Sequence, residues 1–245
     1  MKKSVFIFVF VLFVFPLFSQ NSFLEQQKKY ERVRVAFNER ENIVKKNLSD
    51  KNLSAQNLDI LLVAYKAEKQ LDIFGKKKSD DTYKLIVSYD ICRSSGVLGP
   101  KRKQGDYQVP EGFYFIDNFN PASTYYLSLG INYPNKSDRI KSPHKKLGGE
   151  IYIHGKCVTI GCLPMTDDKI KEIYLYALFA KASGQNNIPV YIYPFKMTNK
   201  NLETFNKKFP QWADFWKNLK NGYDKFEKER KELIFSVDKT GDYLF

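Results

Sequence analysis

Short runs of apolar residues at alternate positions, each closed by turn formers, constrain this chain more than any other feature. Only a pleated backbone puts every second side chain on one face. Over 83–91, Tyr83, Leu85, Val87, Tyr89 and Ile91 take one face while Lys84, Ser88 and Asp90 take the other. Residues 59–65 and 70–74 flank the polar Lys66-Ala67-Glu68-Lys69 and predict a hairpin. Further strands are expected at 112–119, 124–132 and 150–154, with a last one around Val190 and Ile192 that ends near Pro194. The Gly- and Pro-rich stretch 94–111 and the polar stretch 133–149 read as long surface loops, which in a compact domain are usually functional or disordered.

Helical periodicity appears around this body. Thr166-Asp167-Asp168 is a helix start, followed by a stripe of Ile170, Ile173, Tyr174, Ala177 and Leu178 and a stop at Gly184. Residues 21–47 predict one amphipathic helix with few apolar positions (Val33, Val35, Phe37, Ile43, Val44, Leu48), and the turn formers of 47–52 read as a linker. Beyond Thr198, Pro210 suits a first helical position, and Trp212, Phe215 and Trp216 follow with Leu219 as a packing face. Gly222 is expected to break that helix before a segment 223–231, and a final hairpin, 233–237 with 243–245, turns at Asp238-Lys239-Thr240-Gly241. The expected organisation is a leader at 1–19, an N-terminal helix and linker at 20–56, a β-rich domain at 57–196 and a helical extension with a terminal hairpin at 197–245. The fold class is α+β.

The N-terminus bears on the compartment. Lys2 and Lys3 precede an unbroken apolar run, 5–15, and Pro16-Leu17-Phe18-Ser19 supplies a small residue for cleavage. That run is well short of the roughly 20 residues that cross hydrocarbon, so a secretory signal is the reading and an uncleaved anchor the alternative. The chain is expected to be exported, to the periplasm or cell envelope. Its formal net charge of +13 would suggest nucleic acid inside a cell. Outside, nucleic acid is no partner, and the excess fits an anionic wall polymer, a membrane surface or a merely solvated basic exterior.

Three cysteines, Cys92, Cys157 and Cys162, leave at least one unpaired unless two chains join. Two of them fall with His154 in Ile151-Tyr152-Ile153-His154-Gly155-Lys156-Cys157-Val158-Thr159-Ile160-Gly161-Cys162, between a strand and a capped helix. Ile151 and Ile153 share the apolar face of that strand, so His154 and Tyr152 share the other. A thiol attacks as thiolate, and an imidazole beside it is expected to leave it ionised near neutral pH. Gly161 lets backbone approach a substrate, and the amides of Gly161 and Cys162 are candidate oxyanion donors. Three bland readings stand beside this one: Cys162 as a small buried hydrophobe with His154 a satisfied strand histidine; a disulfide between Cys157 and Cys162; and zinc held by His144, His154, Cys157 and Cys162, whose spacing matches no metal signature.

His154-Gly155 followed by Thr159-Ile160-Gly161-Cys162 resembles the signature of the YkuD-type L,D-transpeptidase catalytic domain family. The YafK-like murein subgroup is the nearer resemblance, carried by further blocks in order: Ser95-Gly96, Gly99-Pro100-Lys101, Gly105-Asp106, Gln108-Val109-Pro110-Glu111-Gly112-Phe113-Tyr114, Asn132-Tyr133-Pro134-Asn135, Asp138-Arg139, and the regions of Phe215-Trp216 and Gly222-Tyr223. It covers roughly 58–228. The resemblance implies a β-rich YkuD-like catalytic domain with Cys162 as acyl-accepting nucleophile and His154 as base. By the same resemblance the Gly155 carbonyl fixes the imidazole tautomer, Thr159 braces the nucleophile loop, and Gly161 and Cys162 supply oxyanion donors.

The implied reaction needs no metal or organic cofactor. It opens a peptidoglycan stem peptide at the L-centre of diaminopimelate and passes the acyl group from a thioester to an amine, giving a cross-link or a link to a wall-bound lipoprotein. With water as acceptor the site is a hydrolase, and carbapenem-type β-lactams are implied inhibitors. A non-catalytic wall-binding module is the alternative of another class. Two departures matter: Ile160 stands where many members have a second His, and Pro164 where many have Arg. Arg139, Lys156 and Arg102 are the candidates to replace that arginine in holding a substrate carboxylate.

Overall fold

The computed structural model describes residues 17–245, so the apolar run 5–15 and most of the expected leader lie outside the described residues. Among these, no helix is long and apolar enough to cross a membrane. The chain order is α1 (Leu17–Lys28), α2 (Glu31–Ser49), β1 (Asp59–Tyr65), β2 (Gln70–Lys76), β3 (Lys84–Asp90), β4 (Gly112–Asn120), β5 (Ser128–Ile131), α3 (Lys136–Lys141), β6 (Tyr152–His154), β7 (Leu163–Pro164), α4 (Asp167–Ala182), β8 (Ile188–Tyr193), α5 (Asn199–Lys208), a 3-10 turn at Pro210–Trp212, α6 (Ala213–Glu229), β9 (Ser236–Val237) and β10 (Tyr243–Leu244).

Eight strands form one mixed sheet in the order β3-β2-β1-β8-β4-β5-β6-β7, with β9 and β10 a separate hairpin. The pairs β1 with β8 and β6 with β7 are parallel, and the other neighbours are antiparallel. Strand alternation divides the core into two layers. Ile60, Leu62 and Ala64 of β1 pack with α2 and α4, whereas Leu61, Val63 and Tyr65 pack with Trp216, Leu219 and Phe226 of α6. Because both faces are covered, β1 and β8 read as nearly continuous apolar runs rather than a polar alternation. The architecture is α+β, and the predicted aromatic face beyond Pro210 is a packing surface on this sheet.

Four sequence expectations are corrected. Residues 21–47 form part of two helices, and α2 runs on through Ser49 where a linker was expected. Both helices cover α4: Gln27 accepts from the Tyr174 hydroxyl at 2.7 Å, and Asn47 donates to Tyr176 at 3.0 Å. Hence α4 is buried around its whole circumference between Ile170 and Ala180 rather than along one stripe. In β3 the alternation slips: Ile86 is buried and Leu85 exposed, because the register with β2 shifts between Ile73 and Phe74. Ile86 fills the space over Gly75, where a Cβ would lie 2.5 Å from its Cδ1. Finally, α6 runs straight through Gly222. That glycine is a close-packing point, since a Cβ there would meet Phe245 at 2.5 Å and Phe113 at 2.6 Å.

The long loop 94–111 is tied down from inside. Lys66 donates to Glu111 at 2.8 Å and to the carbonyls of Gly99 and Val109, while Glu111 also accepts from the Trp216 indole at 2.8 Å. Both charged side chains are almost wholly buried. The loop therefore forms a fixed wall beside the end of β7.

Candidate active site

The short parallel pairing of β6 with β7 sets the geometry of the His154 and Cys162 segment. Ile153 lies opposite Leu163 and His154 opposite Pro164, so Cys162, one residue earlier, comes level with Tyr152. Ile153 and Leu163 face the core and are buried. Alternation then sends Tyr152, His154 and Cys162 to the opposite face. That face opens into a cavity of about 460 Å³, which both Cys162 and His154 line.

The excursion between the two residues turns tightly on itself. Met165 N–H donates to His154 O at 2.6 Å, and Cys157 N–H to Met165 O at 3.2 Å. Lys156 and Cys157 take left-handed backbone conformations. Gly155 is required here, because a Cβ would lie 2.6 Å from Asp167 Oδ1 and 3.0 Å from Tyr125 O. Asp167, the first residue of α4, accepts from Lys156 N–H at 2.8 Å and so anchors the turn to the helix start.

Imidazole chemistry follows from one contact. His154 Nδ1 lies 2.7 Å from Gly155 O. A carbonyl can only accept, so Nδ1 carries the proton and Nε2 is left as acceptor. Tyr125 lies over the ring with centroids 4.6 Å apart, and together with the exposed Val158 and Ile160 gives the cavity an apolar rim. Burial pushes His154 below the ordinary imidazole value, against the opposing pull of its bond to Gly155.

Cys162 is a free thiol. Its sulfur accepts from Tyr152 N–H at 3.4 Å and faces Glu150 O at 3.6 Å. Burial pushes the thiol above its ordinary value; the Tyr152 amide and positive Lys101 oppose this, and Glu150 adds to it. Both directions favour the neutral forms of the thiol and of the imidazole that line this cavity, and so run against the ionised sulfur expected from the sequence.

The supporting residues divide. Thr159 Oγ1 accepts from Gly161 N–H at 3.1 Å and Cys162 N–H at 2.8 Å, and donates to Cys162 O at 2.8 Å. These bonds brace the loop that carries Cys162. The same bonds correct the oxyanion expectation, because both candidate amides point inward to Thr159. Gly161, at φ +139°, lies where a Cβ would be 3.2 Å from Gln108 O.

None of the three basic residues suggested for carboxylate binding lines the cavity. Arg102 is buried, paired with Asp138 at 3.0 Å and placed over the Phe215 ring. Arg139 is exposed on α3, and Lys156 is exposed on the turn. The basic residue that does line the cavity is Arg93, in a segment without a recognisable motif. Tyr125 and Asp167 were also not singled out; the acidic start of α4 was the one signal for the latter.

Cysteine pairing is long-range. Cys92 and Cys157 form a disulfide, with Cα atoms 5.6 Å apart and a sequence separation of 65. A bridge between Cys157 and Cys162 is excluded by that pairing. It also withdraws Cys157 from the suggested zinc set, and no His/Cys/Asp/Glu group suited to a metal occurs among the described residues.

Comparison with known proteins gives the family of the chain. Residues 59–192 match the YkuD family, the L,D-transpeptidase catalytic domain. Over 180 residues the chain is 42% identical to the YafK proteins of Escherichia coli strains K12 and O157:H7, provisionally named L,D-transpeptidases, covering 73% of this chain and 70% of theirs. Among solved structures, the helical cell shape determining protein Pgp2 of Campylobacter jejuni aligns over 79% of this chain and 80% of its own, at 19% identity and a TM-score of 0.45. Bd1075 of Bdellovibrio bacteriovorus aligns over 68% of this chain and 62% of its own, at 20% identity and a TM-score of 0.39.

Proposed function

Because the chain belongs to the YkuD family of L,D-transpeptidase catalytic domains, we propose that it is a cysteine acyltransferase acting on peptidoglycan stem peptides, with Cys162 as nucleophile and His154 as general base. One observation carries the reading. The free thiol and the unprotonated nitrogen of an oriented imidazole share one strand face and one cavity, while the other two cysteines are locked together.

The chemistry starts from the neutral pair. As Cys162 Sγ attacks the carbonyl at the L-centre of diaminopimelate, His154 Nε2 takes the thiol proton, and the Gly155 carbonyl holds the resulting imidazolium. Collapse of the tetrahedral intermediate breaks the peptide bond, and Nε2 returns the proton to the departing amine of the terminal D-residue. The acyl group is left as a thioester on Cys162. An acceptor amine then attacks that thioester, Nε2 takes its proton, and the thiol is restored as the new amide leaves. A second cavity of about 210 Å³ also reaches Cys162, from the side of loop 94–111. Access from two sides suits a reaction that brings an acceptor to an acylated sulfur. The acceptor is an amine of another stem peptide or of a wall-linked lipoprotein.

The compartment follows the same reading: the protein is exported, and a disulfide between Cys92 and Cys157 supports an oxidising surrounding. The test is mass spectrometry of purified muropeptides incubated with the protein. Cross-linked or acceptor-linked products with release of the terminal D-residue are expected, and all should vanish in Cys162→Ser. Shortened stems alone would make the same site a hydrolase. Retained products in Cys162→Ser would overturn the reading.

A further inference from the structure

Arg93 is the side chain the mechanism leaves unused. It lines the cavity that holds Cys162 and His154, and it also lines the second cavity behind them. Arg93 and Cys162 are the two residues common to both. Arg93 therefore belongs to the wall of both approaches to Cys162. It is exposed, and no hydrogen bond or ion pair engages it among the described residues. Lys66, which lines the second cavity, is by contrast already paired with Glu111. Glu150 is the one acidic side chain lining either space.

The backbone that carries Arg93 is held on several sides. Ile91 N–H donates to Lys69 O at 2.7 Å, and Cys92 N–H donates to Pro164 O at 3.0 Å. Cys92 is also bonded to Cys157, inside the excursion between His154 and Cys162. The arginine thus rises beside β7, next to the residue that follows the nucleophile by two positions. A guanidinium with no partner, carried on a tethered backbone at the wall of this cavity, is a fork for a carboxylate, because its paired N–H groups match two carboxylate oxygens.

We propose that Arg93 is the specificity-determining residue that binds a stem-peptide carboxylate beside the scissile carbonyl, and that the Cys92–Cys157 disulfide holds it in place. The proposal rests on the acyl-transfer reading of Cys162. Two carboxylates of a stem have the right chemistry: that of the departing terminal residue and that of the D-centre of diaminopimelate.

The first experiment needs no turnover. Cys162 in the intact protein is alkylated by iodoacetate and by iodoacetamide, reagents of similar size that differ in charge, and the ratio of their rates is read. Arg93→Ala is expected to lower the iodoacetate-to-iodoacetamide ratio about tenfold, and Arg93→Lys to keep part of it. An unchanged ratio in Arg93→Ala overturns the proposal. The second experiment uses synthetic tetrapeptide stems with both carboxylates free, with the terminal one amidated, or with the D-centre one amidated. Arg93→Ala should lower kcat/KM about 10- to 100-fold on the free stem and leave little effect on the stem whose recognised carboxylate is amidated. That stem identifies the source. An equal loss on all three stems contradicts carboxylate recognition. If wild type turns over none of them while the alkylation ratio still responds to Arg93, the acyl-transfer reading fails and the anion site remains.

Discussion

Replacing Cys92 and Cys157 together by serine removes a covalent tie that closes 65 residues of chain, among them strands β4, β5 and β6. In the chain-entropy account, a loop of that length restricts the unfolded state by about 4 kcal/mol, all of which the double variant loses. For a domain of this size, each kcal/mol moves the melting temperature by roughly 2–4 °C, so the expected drop is about 8–16 °C. Calorimetry with and without dithiothreitol measures it. Wild type under reductant should fall to the level of the double variant, which should itself ignore the reductant. The double substitution is needed because a single one would leave Cys157 or Cys92 free beside Cys162. Thiol titration of the denatured protein is the companion assay, with one reactive thiol expected before reduction and three after. A double variant that melts within about 3 °C of wild type would refute the reasoning, as would three titratable thiols before reduction.

Further outcomes follow from the site and its walls. Acylation of Cys162 requires neutral His154, whose value burial has lowered, so the rate should climb through a midpoint below the ordinary imidazole value and stay flat across neutrality. In His154→Ala the profile should instead rise in alkaline solution with the raised thiol, which stopped-flow labelling across pH would show. Thr159→Ala removes three hydrogen bonds from the loop that carries Cys162 and should cut kcat about 10- to 100-fold, with Thr159→Ser restoring most of it. Lys66→Met strands the buried Glu111 carboxylate and should cost about 3–5 kcal/mol by denaturant titration. Gly222→Ala gains about 1 kcal/mol of helix propensity but forces a methyl group against Phe245 and Phe113, so a net loss of about 1–2 kcal/mol is expected by the same titration.

What the sequence revealed and concealed has a common physical basis. Patterns carried by neighbouring residues were legible: the β1 and β2 hairpin, the Thr166 start of α4, and the placement of His154 and Tyr152 opposite Ile151 and Ile153. Features that depend on a partner far along the chain were not. The slip at Ile86 needs Gly75 across the sheet, and the full burial of α4 needs α1 and α2 over its outer side. Gly222 has the composition of a helix stop, yet its role is set by two aromatic rings from other elements. The pairing of Cys92 with Cys157 spans 65 residues, and no local spacing announces it. The His-Gly and Thr-x-Gly-Cys blocks are close in sequence, and the local pairing of β6 with β7 brings His154 and Cys162 to one cavity. Arg102 looked available in sequence but is consumed by Asp138, whereas Arg93 became visible only when β3 and β7 came together.

The central proposal, that His154 takes the proton of the half-buried thiol at Cys162 as it attacks an acyl group, is tested most directly by intact-mass analysis and peptide mapping after exposure to a carbapenem-type β-lactam. The expected result is one adduct on the peptide bearing Cys162, absent in Cys162→Ser and formed about 10²- to 10⁴-fold more slowly in His154→Ala. An adduct on another residue, or an undiminished rate without the imidazole, would contradict it.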